Sequence, residues 1–254
     1  MRLAVTGATG RMGRTVVAAA GDRGHDVVLA VNRDPGDETV AGVPVEAADD
    51  LPALLADRDP DALVDFTGPE SSVAYVEACA DAGVPTVVGT TGFDESQAAA
   101  LRAASERAPV LRAANFARGV QALLRVVEEA VRALPGYDVE VTETHHNAKR
   151  DAPSGTAKEL LARVEATGEF GDRVHGREGE TPRRDGEIGV HARRAGDVTG
   201  EHEVLLAGNH ELVSLTHRAE SRGVFAAGAL DAAGWLVDQV PGYYDFSDVV
   251  GDSA

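Results

Sequence analysis

Along the first hundred residues, short runs of mostly apolar positions alternate with stretches in which apolar residues recur every three or four places. The runs lie at 2–6, 27–31, 62–66 and 84–88, and the periodic stretches at 11–22, 50–57, 70–82 and 94–107. In the first periodic stretch Met12, Val16, Val17 and Ala20 share one helical face. Strands without a polar side, separated by helices, predict a parallel sheet covered on both faces. After about Asn115 the rhythm changes. A long amphipathic helix is expected over 119–134, ended by Pro135-Gly136, followed by an alternating strand over 138–144. Residues 168–186 carry little periodicity and read as a loop. Strands are expected near 187–193, 199–206 and 211–217, and a last helix near 222–238. Successive strands without intervening helices predict a mixed sheet and hence a second domain of different construction.

Gly7-Ala8-Thr9-Gly10-Arg11-Met12-Gly13 joins the first strand to the first helix. In that setting the glycines form a dinucleotide-binding turn: Gly7 for the tight bend, Gly10 for backbone approach to a pyrophosphate, and Gly13 for close helix–strand packing. The fold class is therefore α/β, with a Rossmann-like parallel-sheet nucleotide-binding domain. The second strand ends Asn32-Arg33 where an NAD site commonly has an acid, so a cation faces the ribose position and NADPH is preferred; Asp34 keeps NADH possible. None of the four tyrosines has Lys four residues on, which removes the short-chain dehydrogenase pattern that the wording of the turn otherwise resembles.

Charge narrows the partners. Of the 254 residues, 42 are acidic and 24 basic, giving a formal net charge of −18. Such a surface repels phosphate backbones and anionic membranes, and no apolar stretch nears the roughly 20 residues needed to span a bilayer. One cysteine, Cys79, and a first strand that begins at once without a signal-like stretch predict a cytoplasmic setting. The acids are spread along the chain, a composition expected of a protein working in concentrated salt.

The basic side is more informative. It comprises 22 Arg and only two Lys, Lys149 and Lys158. Lys149 lies in Glu143-Thr144-His145-His146-Asn147-Ala148-Lys149-Arg150-Asp151-Ala152-Pro153-Ser154-Gly155-Thr156-Ala157, between a strand and a helix. An ammonium can surrender a proton where a guanidinium cannot. His145 and His146 belong to the residue type that titrates near neutrality. Ser154, Gly155 and Thr156 at a helix start offer hydroxyls, N–H groups and a dipole to a carboxylate, although Ser154 also fits a plain N-cap. Adjacent histidines on an extended segment face apart and chelate poorly, so no metal is expected. Lys158 reads as a surface charge, and His25, His175, His191, His202, His210 and His217 receive no chemistry.

The segment His-His-x-x-Lys-x-Asp-Ala-Pro-Ser-Gly-Thr-Ala at 145–157 resembles the signature of the 4-hydroxy-tetrahydrodipicolinate (dihydrodipicolinate) reductase family. The glycine turn, Asp65-Phe66-Thr67 with Pro69, Gly89-Thr90-Thr91-Gly92-Phe93, Ala114-Asn115-Phe116, Arg194-Ala195-Gly196-Asp197, Gly200-Glu201-His202 and Thr216-His217-Arg218-Ala219 extend the likeness over nearly the whole chain. The resemblance implies a dinucleotide-binding domain over 1–117 with 222–254, and an α+β substrate-binding and oligomerisation domain with a mixed sheet over 118–221. It implies a homotetramer and reduction of a small cyclic dicarboxylate in the diaminopimelate route to lysine. By the same likeness Gly7 to Met12, Phe66, Gly89, Thr90, Thr91, Ala113, Ala114, Asn115 and Phe116 line the cofactor, beside Arg33. His145 becomes the proton donor and Lys149 a second donor, while His146, Gly155 and Thr156 hold carboxylates with Ser154. The competing readings are another Rossmann-type reductase of a small anion and a non-catalytic NADP sensor.

Overall fold

The structure is a computed structural model that describes residues 1–168 and 170–251. The chain opens with β1 (Arg2–Thr6), α1 (Arg11–Asp22), β2 (Asp26–Asn32), the hairpin β3 (Thr39–Val40) and β4 (Val43–Ala47), then α2 (Leu51–Arg58). It continues through β5 (Ala62–Asp65), α3 (Pro69–Ala82), β6 (Thr86–Val88), α4 (Glu95–Ala104) and β7 (Val110–Arg112). Next come α5 (Arg118–Ala133), β8 (Asp138–His145), α6 (Gly155–Glu165), β9 (Arg173–His175), β10 (Ile188–Arg194), β11 (Gly200–Gly208) and β12 (Glu211–Ala219). Last are α7 (Gly223–Leu236), β13 (Tyr243–Tyr244) and α8 (Phe246–Gly251). Two compact units result: Met1–Ala117 joined by the chain from Arg222 onward, and Arg118–Ser221.

The first unit holds an eight-stranded sheet ordered β13-β7-β6-β5-β1-β2-β4-β3, parallel except for the β3–β4 pair. Its central strands are apolar over most of their length because both faces are covered: Leu3, Ala4, Val5, Leu63 and Val64 are fully buried. On one face α7 lies against α1, β5, β6 and β7. Small side chains make that approach possible, with Ala226, Ala229, Ala232 and Ala233 all fully buried around Leu230 and Leu236. Burying each such leucine is worth about 1.5–3 kcal/mol. The strand order reverses between β1 and β5, so the carboxyl ends of those strands flank the crevice where ligands of open α/β sheets sit.

The second unit is a five-stranded mixed sheet, β12-β11-β8-β10-β9, with α5 packed on β12 and α6 on β8. In β8 the odd-numbered positions Val139, Val141 and Glu143 are buried, the alternation of a strand with one covered face.

The structure revises several local expectations. The strand expected at 84–88 starts at Thr86, because Gly83 caps α3 in the left-handed region and the Val84 N–H returns to the Cys79 carbonyl. The helix expected to reach 107 ends at Ala104. The stretch 168–186 contains β9, which pairs with β10. Only two to five residues long, β3, β4, β7, β13 and β9 leave too little pattern to be seen without their partners.

Candidate active site

At the carboxyl edge of the first sheet the glycine turn has the geometry its spacing predicts. Gly7 adopts φ +69°, and Gly13 sits so tightly on the Gly7 carbonyl that a Cβ there would overlap it. Gly10 caps α1 without a side-chain bond, leaving the helix N-terminus open. Asn32 donates to Thr9 Oγ1 at 2.7 Å, tying the end of β2 to the turn. Arg33 is exposed at a cleft of about 440 Å³ whose walls include Gly7, Gly10, Asn32, Phe66 and Ser71, and its guanidinium donates to Ser71 Oγ at 3.0 Å. Ala8, Thr9, Arg11 and Met12 belong to the same turn and helix start, while Gly89, Thr90 and Thr91 follow β6 and Ala113, Ala114, Asn115 and Phe116 follow β7. Every candidate cofactor residue thus lies at one edge of this sheet. Asn115 Oδ1 accepts from the Ala117 N–H at 2.8 Å and holds the last of these loops.

Beneath this edge lies a residue to which the sequence assigns no role. Asp65, fully buried at the end of β5, accepts four hydroxyls: Thr6 and Thr67 at 2.7 Å on Oδ1, Ser72 at 2.7 Å and Thr90 at 2.8 Å on Oδ2. Thr90 Oγ1 in turn accepts the Thr67 N–H at 3.0 Å. One carboxylate therefore ties β1, α3 and the loops after β5 and β6 together where the strand order reverses.

The chemistry segment lies in the second unit. His145 closes β8, and its Nδ1 lies 2.5 Å from Glu143 Oε2. Glu143 is 1% exposed and also takes a two-pronged bond from Arg194, at 2.8 and 2.7 Å, and the Ser154 N–H at 3.1 Å. Arg194 reaches on to the Asp151 carbonyl at 2.6 Å, fastening the 146–153 turn to β10. A carboxylate on Nδ1 makes Nε2 the free, proton-exchanging nitrogen of His145. Burial pulls His145 below its ordinary value, and Glu143 opposes that pull. Burial likewise opposes charge on Glu143, but Arg194 and His145 outweigh it and hold the carboxyl below its usual range.

Lys149 Nζ is paired with Asp151 Oδ1 at 2.7 Å. Ser154 caps α6: its Oγ accepts the Ala157 N–H at 3.2 Å and lies 3.0 Å from His202 Nε2. Thr156 is buried in the first turn and Gly155 is exposed, while Lys158 points to solvent. His146 follows β8 directly. Among the described residues no group of three or more His, Cys, Asp or Glu is arranged to hold a metal ion, and no helix is long and apolar enough to cross a membrane.

His202, given no role by its spacing, is 3% exposed, and its ring meets the His145 ring edge-on at 5.2 Å. Burial, reinforced by His145, pushes it down to about 4 from 6.5. A histidine buried neutral favours the folded state above the unfolded value and progressively less as pH falls toward the folded one. Between pH 6.5 and 4, His202 therefore lowers the stability of the fold as the pH falls. Denaturant unfolding of the parent and of His202→Leu at pH 7 and pH 4.5 should show the variant losing less over that interval. Equal losses would assign the acid sensitivity elsewhere.

A parallel sheet with a glycine turn at its switch point, in a chain whose second, mixed-sheet unit carries a carboxylate-oriented histidine, defines a nicotinamide-nucleotide-dependent oxidoreductase of two-unit design. The chain belongs to the dihydrodipicolinate reductase family, whose N-terminal model matches residues 1–116 and whose C-terminal model matches residues 119–250. The chain is 60% identical over 251 residues to a 4-hydroxy-tetrahydrodipicolinate reductase of Natronomonas pharaonis, covering 98% of this chain and all of that protein. The corresponding protein of Haloarcula marismortui is 53% identical, covering 98% of each. The dipicolinate-bound dihydrodipicolinate reductase of Paenisporosarcina sp. TG-14 superposes with a TM-score of 0.77 at 25% identity, over 96% of this chain and 97% of that one.

Proposed function

We propose that this chain reduces 4-hydroxy-tetrahydrodipicolinate to tetrahydrodipicolinate with NAD(P)H, in the diaminopimelate route to lysine. The observation that carries the reading is His145 held on Glu143 beside the capped start of α6, with Lys149 on the same turn. The first unit fits a dinucleotide: the cradle at Gly7 and Gly13 is one that a Cβ would fill, and the open N-terminus of α1 favours phosphate. When bound there, the nicotinamide supplies hydride.

The rest falls to the chain's own groups. The loops after β1, β5, β6 and β7 bind the dinucleotide. Ser154, Gly155 and Thr156, with the dipole of α6, and His146 hold the carboxylates of the dianion. The 4-hydroxyl leaves as water, His145 Nε2 delivers the proton that balances charge on the ring that has taken up hydride, and Lys149 is the second donor. Arg150, protonatable His145 and His146, and the N-terminus of α6 keep this region positive inside an acidic protein. For the ribose end, Arg33 beside neutral Asn32 supports NADPH over NADH. A homotetramer assembled through the second unit and a cytoplasmic location complete the reading.

The test is enzymatic synthesis of the unstable substrate in the cuvette, followed by loss of nicotinamide absorbance with NADPH and NADH in parallel. Oxidation should be faster with NADPH. Tight NADPH binding without oxidation would overturn the reading. Lys149→Arg keeps the charge and should retain less than a tenth of kcat; near-parental turnover would remove Lys149 as a donor.

The net charge of −18 also belongs to this reading, as a surface suited to concentrated salt. Self-repulsion of that size is screened at 1 M, where the Debye length is about 3 Å. The melting temperature should rise from low to molar salt. A flat or falling profile in sodium chloride would end the idea.

A further inference from the structure

Among the described residues Ser154 Oγ has two hydrogen-bond neighbours, and one of them has a fixed direction. The Ala157 N–H donates to it at 3.2 Å; toward His202 Nε2, at 3.0 Å, the proton can belong to either side. The surroundings of His202 decide which. Its Nδ1 is buried and has no hydrogen-bond partner among the described residues. The residue directly opposite on β12 is His217, whose Nδ1 is buried and unpartnered too, so β12 offers it nothing. On the other side the His145 ring is an edge-on neighbour whose Nδ1 is already engaged by Glu143.

If the ring proton sat on Nδ1, a buried N–H donor would be orphaned, the rarer and costlier kind of unsatisfied group. With the proton on Nε2, Nδ1 keeps only a bare lone pair, and Nε2–H donates to Ser154 Oγ. The hydroxyl then accepts twice, from Ala157 and from His202, and both its lone pairs are used. Its own hydrogen is left with no acceptor within this cluster and is turned outward from it. Burial keeps His202 uncharged, so this arrangement holds across the neutral range.

We infer that His202 is a positioning residue: as the Nε2–H tautomer it sets the Ser154 hydroxyl as a donor aimed at a carboxylate of the bound dianion. The inference rests on the proposed reductase function for the identity of the ligand, and the tautomer itself can be read without it. His202 never touches the ligand in this scheme. It converts a helix cap, which needs only an acceptor oxygen, into a cap that also donates.

Two measurements test this. In the first, the ¹⁵N shifts and one-bond couplings of the histidine rings in the labelled full-length protein report the tautomer of His202 directly. A protonated Nε2 with an unprotonated Nδ1 is expected; the reverse overturns the inference whatever the enzyme does. In the second, KM for the dicarboxylate and Kd for pyridine-2,6-dicarboxylate are compared among the parent, His202→Leu, His202→Gln, Ser154→Ala and the double variant His202→Leu/Ser154→Ala. Loss of one hydrogen bond to a charged group should raise both constants about tenfold in His202→Leu, with KM for NADPH unchanged. His202→Gln, whose amide nitrogen reaches the Nε2 position, should recover to within about threefold. In the Ser154→Ala background His202→Leu should add less than about twofold, since the hydroxyl through which it acts is gone. Equal effects in both backgrounds, or no effect in either, overturn the inference. If His202→Leu does not fold, His202→Gln against His202→Asn, whose shorter amide cannot reach Ser154, makes the same comparison. A parent that fails to oxidise NADPH with the dicarboxylate defeats the functional reading and leaves the tautomer result standing.

Discussion

Glu143→Gln should lower kcat by about two orders of magnitude and move the alkaline limb of the pH profile to lower pH. General acids contribute on the order of 10²–10⁴ to rate, and the proposed acid, His145, is oriented through Glu143. The sign follows from the opposing influences on His145. Burial lowers its proton affinity and the neighbouring carboxylate raises it. Removing the negative charge leaves burial unopposed, so the protonated donor survives only to a lower pH. Activity that needs protonated His145 is present below its pKa and lost as pH rises through it, hence the direction. The substitution also strips Arg194 of its carboxylate, so the melting temperature should fall as well. Lost stability alone would leave the profile of the surviving activity in place. An unshifted limb, with kcat within threefold of the parent, would show that Glu143 only anchors Arg194.

The second large effect is expected at Asp65. Asparagine fits the space but offers one acceptor oxygen where the carboxylate offers two, and adds an amide that only donates. At least two of the four hydroxyls lose a charged acceptor, at about 1.5 kcal/mol or more each. A combined loss of roughly 3 kcal/mol corresponds to about 6–12 °C in melting temperature for a chain of this size. The loops bearing Thr67 and Thr90 lose their common tether, so calorimetric Kd for NADPH should rise at least fivefold. Unchanged melting and unchanged Kd together would refute the tethering role.

How much of this was legible beforehand depended on whether a feature is local in the chain. The apolar strands at 2–6 and 27–31, the helix between them and the glycine turn follow from neighbours in sequence, and the structure has them within a residue or two. Arg33 at a cleft and Ser154 as a cap were legible for the same reason. Asp65 was not. It stood in a recognised motif, yet its four partners lie between 2 and 59 positions away and meet only when β1, β5 and β6 are aligned. Glu143 looked like one more acid among 42, because nothing in its spacing shows Arg194 arriving from β10. His202 was set aside for want of ligand spacing, a criterion suited to metals; its partner Ser154 is 48 positions away. Parallel and mixed sheets hide their polar clusters in this way, since strand neighbours are remote in sequence.

The second unit is one unbroken segment, whereas the first is made of two pieces separated by it. During synthesis every residue of the inserted unit is therefore present while the earlier sheet still lacks α7. Until the last thirty or so residues emerge, Val64 and Val87 lack the helix that carries Leu230 and Leu236, and Leu3 and Val5 have only α1 on that side. A nascent chain halted near Ser221 would hold every residue of the mixed sheet and a parallel sheet without its closing helix, the part synthesised first being the last to be completed.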